Sequence, residues 1–283
     1  MFHKLTIKDI KRETPECVSL SLHVPDGLKE NFIFTQGQHL VFRGWHEGEE
    51  IRRSYSICSS PYDDELRVAV KRIEEGVFSS HIHSVATVGD EVEVMFPQGS
   101  FYTDLNPDQA KRYVMVAAGS GITPIMAIAR SVLAASPEST FDLVYANRSA
   151  GDVMFAEEIG DLKDRYPARF AVHHVLSREQ RLNPLLTGRI ESEKLTALLD
   201  HVLRTEDTDE WFLCGPFELV QLVRDELEAR EISSEKVRFE LFSTGRPDRP
   251  AGNQGRRVEV EAGYVLTCQT RPTSEKLVVN YDA

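Results

Sequence analysis

The stretch 113-YVMVAAGSGITPIMAIARSVLA-134 decides the fold. Tyr113 to Ala118 is an apolar run of strand length, broken at Gly119-Ser120-Gly121; Pro124 then opens an apolar segment with helical spacing through Ile125, Ile128, Ala129 and Val132. The spacing predicts strand, glycine turn, helix, with the Thr123 hydroxyl as cap and Pro124 in the first turn, where a missing N–H is harmless. Two glycines let a phosphate approach the backbone closely, and a helix N-terminus offers free N–H donors and partial positive charge. Gly119, Ser120, Gly121 and Thr123 are therefore the candidate cradle for a dinucleotide pyrophosphate. The pattern is G-x-G-x-x-P, not G-x-G-x-x-G, so on these residues alone a plain tight turn is an equal alternative.

Downstream, strand-like runs alternate with helical ones: FDLVYAN (141–147), a helix near 155–166, FAVHHVL (170–176), a helix near 192–203, WFLCG (211–215), a helix near 216–230, and VRFELF (237–242). This is the signature of a parallel sheet covered by helices on both faces, whose ligand crevice lies at the carboxyl ends of the strands. Asn147-Arg148-Ser149, Ser177-Arg178-Glu179, Cys214-Gly215-Pro216 and Glu240-Leu241-Phe242 all fall there. Arg148 and Arg178 are each either solvated charges or anion grips. Glu240 and Phe242 read equally as a strand end with a buried aromatic.

Upstream, the period changes to two. KLTIKDI, VSLSLHV, QHLVFRGW, RRSYSI, LRVAVKRI and DEVEVMF are six alternating runs separated by Pro25-Asp26-Gly27, Glu47-Gly48 and Val88-Gly89-Asp90, which predicts a six-stranded antiparallel Greek-key barrel with one short helix at 77–86. Two places carry more chemistry than a barrel needs. Arg53 and Tyr55, at alternate positions of Arg52-Arg53-Ser54-Tyr55-Ser56, share one face of a strand, where a guanidinium fork suits a pyrophosphate and a ring suits a flat heterocycle. Val70-Lys71-Arg72 followed by Gly76-Val77-Phe78-Ser79-Ser80 sets two cations before a helix start, a second anion site or a helix capped by Ser79 or Ser80.

RRSYS, then VKR with GVFSS, then GSGITP, resemble the ferredoxin–NADP reductase superfamily in the order of its motifs. The resemblance implies FAD on the barrel, held by Arg53, Ser54, Tyr55, Ser56, Val70, Lys71, Gly76, Val77 and Ser79, with Thr123 close to the flavin and Phe242 covering it. It implies NADP over the sheet, held by Gly119, Ser120, Gly121, Thr123, Arg148, Ser177, Arg178, Cys214, Gly215 and Pro216. Ser177 and Arg178 match the family pair that takes the 2'-phosphate, which favours NADPH, with NADH the alternative. Cys214, in C-G-P, and Glu240 match residues flanking the nicotinamide and stand as the catalytic pair; Cys214 reads as a packing or contact residue rather than a nucleophile, since hydride transfer between two cofactors needs none.

After Ser243 the composition turns to Gly, Pro and Arg, the mark of a linker. EAGYVLTCQTRPTSEKLVVNYD then resembles the ending of a plant-type [2Fe–2S] ferredoxin, with Cys268 in the place of the fourth cluster ligand. The expected division is a flavin barrel at 1–106, a nucleotide domain at 107–244, a linker at 245–258 and a ferredoxin remnant at 259–283. That order is the one found in the phenylacetyl-CoA epoxidase type of oxygenase reductase, which implies a [2Fe–2S] centre and a diiron oxygenase as electron acceptor. The departure is that a plant-type cluster needs C-x4-C-x2-C upstream of its last cysteine, and the four cysteines here, Cys17, Cys58, Cys214 and Cys268, contain no such run. The chain as written, whether naturally shortened or lacking an internal segment before Glu259, is not expected to assemble the cluster.

A net charge of −12 argues against nucleic acid or an anionic membrane as partner. No apolar run approaches membrane-spanning length and no signal segment opens the chain, so a cytoplasmic enzyme is the simplest reading. Two rivals remain to an oxygenase-linked flavin reductase: a free diaphorase with diffusible acceptors, favoured by the missing cluster ligands, and a flavin-bearing nucleotide sensor without turnover.

Overall fold

The period-two runs form six antiparallel strands, β1 (His3–Thr14), β2 (Cys17–His23), β3 (His39–His46), β4 (Glu49–Ser56), β5 (Leu66–Lys71) and β6 (Glu91–Val94). In this computed structural model, which describes residues 1–203 and 205–242, they pair in the order β4-β3-β6-β1-β2-β5. A bridge from Ile57 to Val68 joins the two edges, so the sheet closes into a barrel and leaves no long open edge. The β3–β4 hairpin turns through Glu47 and Gly48 at φ 51° and 82°, the positive pair that a tight two-residue turn demands. Leu5, Ile7, Leu20, Leu40, Phe42, Val68 and Val94 fill the interior. Helix α1 (Val77–Ser84) packs Phe78 against Phe42 and Tyr55.

The second half forms a five-stranded parallel sheet in the order β11-β10-β7-β8-β9. Its strands are β7 (Arg112–Ala118), β8 (Thr140–Asn147), β9 (Phe170–Leu176), β10 (Glu210–Gly215) and β11 (Val237–Leu241). Helices α2 (Ile122–Ala135) and α3 (Ala156–Arg165) supply the core of one face, and α4 (Ser192–His201) and α5 (Phe217–Ala229) that of the other. The chain runs outward from β7 through β8 and β9, then returns to β10 on the opposite side of β7. The order therefore reverses between β7 and β10, and a crevice opens at their carboxyl ends.

Cys17, Cys58 and Ala69 on the barrel wall belong to the same apolar cluster as Ile122, Ile125, Met126, Ile128 and Ala129 of α2, so barrel and sheet share this helix. The connection between the halves is pinned as well: the Gln36 amide donates to the Thr103 carbonyl at 2.5 Å, and the Thr103 hydroxyl donates to Glu210 at 2.8 Å. At the far end of α2 the Arg169 guanidinium donates to the carbonyl of Leu133 in the last turn and to those of Ser136 and Ser139 in the loop that follows, tying the helix end to β9.

Two local expectations differ in detail. Gly121, not Thr123, stands at the α2 N-cap; Thr123 is already helical, and its hydroxyl donates back to the Ser120 carbonyl at 3.0 Å. A turn of 3-10 helix at Gly119–Gly121 runs directly into α2 and leaves no extended residue for a side-chain cap. Gly76, not Ser79 or Ser80, precedes α1, and the Ser79 hydroxyl instead accepts from the Ile73 amide and donates to the Gly76 carbonyl, both at 3.1 Å. The linker, the ferredoxin-like remnant and Cys268 lie outside the described residues.

Candidate functional site

At the reversal point two backbone segments meet almost in contact. A Cβ added at Gly121 would stand 2.2 Å from the Cys214 carbonyl oxygen, and one at Gly215 would stand 3.1 Å from the Ala118 Cβ. A side chain at Gly121 would force the glycine turn away from the β10 backbone, while one at Gly215 would crowd Ala118. Gly119 adopts φ +52° to turn the chain, and its carbonyl accepts from the Tyr145 hydroxyl on β8 at 3.0 Å. The barrel brings a charge to this turn: a Cβ at Gly119 would lie 3.8 Å from the Lys71 ammonium at the end of β5. Bare turn, helix start and cation, brought together from both halves of the molecule, could hold an anion.

Beside it lie two buried ionisable groups. Cys214 and Glu240 are partners in the β10–β11 register. Burial, with the Glu240 carboxylate beside it, pushes the Cys214 thiol well up, so this sulfur stays protonated and is not a nucleophile. Burial likewise raises the Glu240 carboxyl to about 8, and its Oε2 has no hydrogen-bond partner among the described residues. A neutral carboxyl with an unused oxygen, next to a crevice, is poised to meet a polar ligand group. The Phe242 amide donates to the Gly215 carbonyl at 2.8 Å, holding its ring beside α2.

On the barrel, Arg53 and Tyr55 pair with Phe42 and Leu40 and so face alike, whereas Ser54 opposite Val41 points the other way. The Tyr55 and Phe78 rings stack at 5.9 Å and 27°, leaving Tyr55 half-buried. The Arg53 guanidinium turns onto the Arg52 carbonyl at 2.6 Å. Ser56 is buried, and Val70 fills the barrel core, so only its backbone can reach a ligand. Gly76, Val77 and Ser79 form the loop and first turn of α1.

At the outer strand ends, the Ser177 amide donates to the Asn147 carbonyl at 2.9 Å and the Arg178 amide to the Arg148 carbonyl at 2.7 Å, bringing the two exposed arginines onto adjacent strand ends. Pro216 precedes α5 at the mouth of the crevice. Sequence reasoning missed Tyr145 and Asn147, neighbours at the end of β8, and the link from Lys71 to Gly119. A polar ending to the apolar strand FDLVYAN was the available signal for the first two; the third depends on how the halves dock.

These features fit a flavin and a pyridine dinucleotide: a half-buried ring on the barrel, bare backbone with a cation beside it, and a buried, protonated Glu240 carboxyl near the crevice. The chain matches the oxidoreductase FAD-binding domain family over residues 4–102 and the oxidoreductase NAD-binding domain family over residues 115–225. It is 37% identical over 282 residues to one of the component proteins of 1,2-phenylacetyl-CoA epoxidase from Escherichia coli, covering 99% of this chain and 78% of that protein. The chain belongs to the ferredoxin–NADP reductase superfamily. It is also 36% identical to the ferredoxin reductase component of 3-ketosteroid-9-alpha-monooxygenase from Mycobacterium tuberculosis, over 85% of this chain but only 65% of that protein. Among solved structures, the FAD/NAD-binding domain of a nitric oxide dioxygenase from Vibrio cholerae superposes with a TM-score of 0.70 at 26% identity, over 84% of this chain and 98% of that one. As a member of the superfamily the protein is an FAD-dependent NAD(P)H oxidoreductase. No helix among the described residues is long and apolar enough to cross a membrane.

Glu240 makes one property of the ligand-free protein measurable. Between the ordinary carboxyl value of 4.5 and about 8 the unfolded chain releases a proton that the folded protein keeps, so stability falls as pH rises through this window. Below it both states are protonated. Glu240→Gln keeps the shape without the charge, and urea unfolding across the window should show a shallower decline than in the parent; an identical slope would place the titration elsewhere.

Proposed function

We propose that the protein takes electrons from NADPH through FAD and delivers them to a [2Fe–2S] centre serving an oxygenase partner, in the manner of an epoxidase or monooxygenase reductase component. What chiefly supports this reading is the split anion site, with a bare glycine turn on one half and Lys71 on the other, beside the buried Cys214–Glu240 pair. Such a junction suits two flat rings meeting between a barrel and a nucleotide fold. When bound, FAD supplies the chemistry, accepting a hydride from the nicotinamide and passing its electrons on singly.

The chain's own residues bind, orient and shield. The Arg53 guanidinium, here on the Arg52 carbonyl, would serve the flavin diphosphate, the Tyr55 ring would pack on the isoalloxazine, and Ser56 would bond the ring or ribityl chain, with Gly76, Val77 and Ser79 at the α1 start completing the site. Gly119, Ser120 and Gly121 accept the nucleotide diphosphate with Lys71, while Arg148, Ser177 and Arg178 receive the 2'-phosphate. The protonated Glu240 carboxyl holds its proton near the carboxamide, Cys214 closes the wall without reacting, and Phe242 covers the flavin face. Flavin domain 1–106 and nucleotide domain 107–244 divide this labour.

One observation favours a second reading. The 283 residues contain no C-x4-C-x2-C run, which suits a diaphorase that hands electrons to diffusible acceptors.

Anaerobic NADPH should bleach the flavin absorbance of the purified protein; an unbleached flavin would leave a nucleotide sensor. Ferricyanide reduction without cytochrome c reduction would select the diaphorase. Arg53→Ala removes a charge-assisted contact of about 1.5–3 kcal/mol and should lower the flavin recovered per protein; full retention would count against its role. Arg178→Ala should weaken NADPH far more than NADH in titrations of the bound flavin, and equal losses would remove the 2'-phosphate assignment.

A further inference from the structure

Barrel and nucleotide fold touch at both ends of one strand. At the end of β5, Lys71 reaches the glycine turn. Near its start Arg67, only 7% exposed, makes a bidentate pair with Glu158 in the first turn of α3, at 2.8 and 2.7 Å. Glu158 is shared: Arg130 of α2 donates to it at 2.7 Å and also reaches Asp63 on the barrel at 2.9 Å. The buried hydroxyls of Ser60 and Ser131 meet at 2.9 Å along the same seam. Burial alone would raise the Glu158 carboxyl, but the two guanidiniums hold it below the usual carboxylate range, so it stays ionised. Glu158 thus joins α2 and α3 to β5, and Arg130 extends the network to Asp63 on the barrel.

We propose that Arg67, Glu158 and Arg130 form a positioning latch that fixes the tilt of the barrel against the nucleotide fold and thereby the separation of the two redox rings. The inference rests on the preceding reading, in which those rings meet at the junction. The energetics favour orientation over stability as the latch's purpose. A buried ion pair adds little net stability over apolar residues of the same size, whereas a fork on a carboxylate satisfies both bonds in one relative orientation only. Apolar seams such as that of Cys17 and Cys58 against α2 tolerate sliding; the fork does not. Four residues of strand separate Arg67 from Lys71, a lever of about 13 Å, so slack at the fork becomes comparable slack at the turn.

Two readouts test the latch. Spin labels at Glu30→Cys and Glu228→Cys, both exposed positions, in a Cys268→Ser background report the distance between the halves in the flavin-loaded protein without nucleotide. The parent should give one narrow distribution, and Glu158→Gln a broadened or shifted one. Arg67→Met with Glu158→Leu, which leaves no unpaired charge in that pair, should behave likewise and guards against simple misfolding. In stopped flow the limiting rate of flavin bleaching by NADPH should fall roughly tenfold or more, as expected for slack of about 1 Å between reacting groups, with half-saturation unchanged and Glu158→Asp recovering part of the loss. Unchanged distance distributions, or an effect confined to half-saturation, would overturn the latch. If the parent itself does not bleach, the reductase reading falls, and the distance distributions alone decide whether the latch exists.

Discussion

Everything in this structure depends on a helix with no wet face. Of the 14 residues of α2 only Arg130, Ala134 and Ala135 escape burial. One side lies on β7, β8 and β10, the other against the barrel wall. Each buried Ile, Val, Leu or Met side chain is worth about 1.5–3 kcal/mol relative to exposure, so separating the halves would wet several at once. The helix is also the continuation of the glycine turn. Fixing it in the middle of the molecule fixes the direction in which its N-terminus opens.

The crevice follows from that placement and from the reversal of strand order. Where β7 and β10 diverge, backbone must pass backbone at a distance that admits no side chain, and Gly121 is the residue that permits it. The same closeness strips water from Cys214 and Glu240 and keeps both protonated near neutrality. Desolvation therefore shapes the site twice, by making room for a flat ligand and by holding a neutral acid at its edge.

Much of this was legible in the chain. The change of hydrophobic period from two to alternating strand and helix gave both architectures, and GSGITP marked the turn between β7 and α2 because glycine and a helix start have direct physical consequences there. The helix caps were misread: Thr123 and Ser79 carry the right hydroxyls, but a preceding 3-10 turn and a tight loop put them one to three residues inside their helices. Lys71, which the resemblance gives to the flavin, also stands beside the other half's glycine turn. Tyr145, Asn147 and the Arg67–Glu158 fork went unread for one reason. Their meaning arises from docking of distant segments, which local pattern does not encode.

The shared anion site also links ligand affinity to architecture. A diphosphate that engages both Lys71 and the glycine turn becomes a staple between the halves, so its binding must stiffen their mutual arrangement. By thermodynamic reciprocity, whatever loosens that arrangement must release the diphosphate by the same free energy. Cargo and hinge are then one equilibrium, and the loaded protein should be mechanically a different object from the empty one.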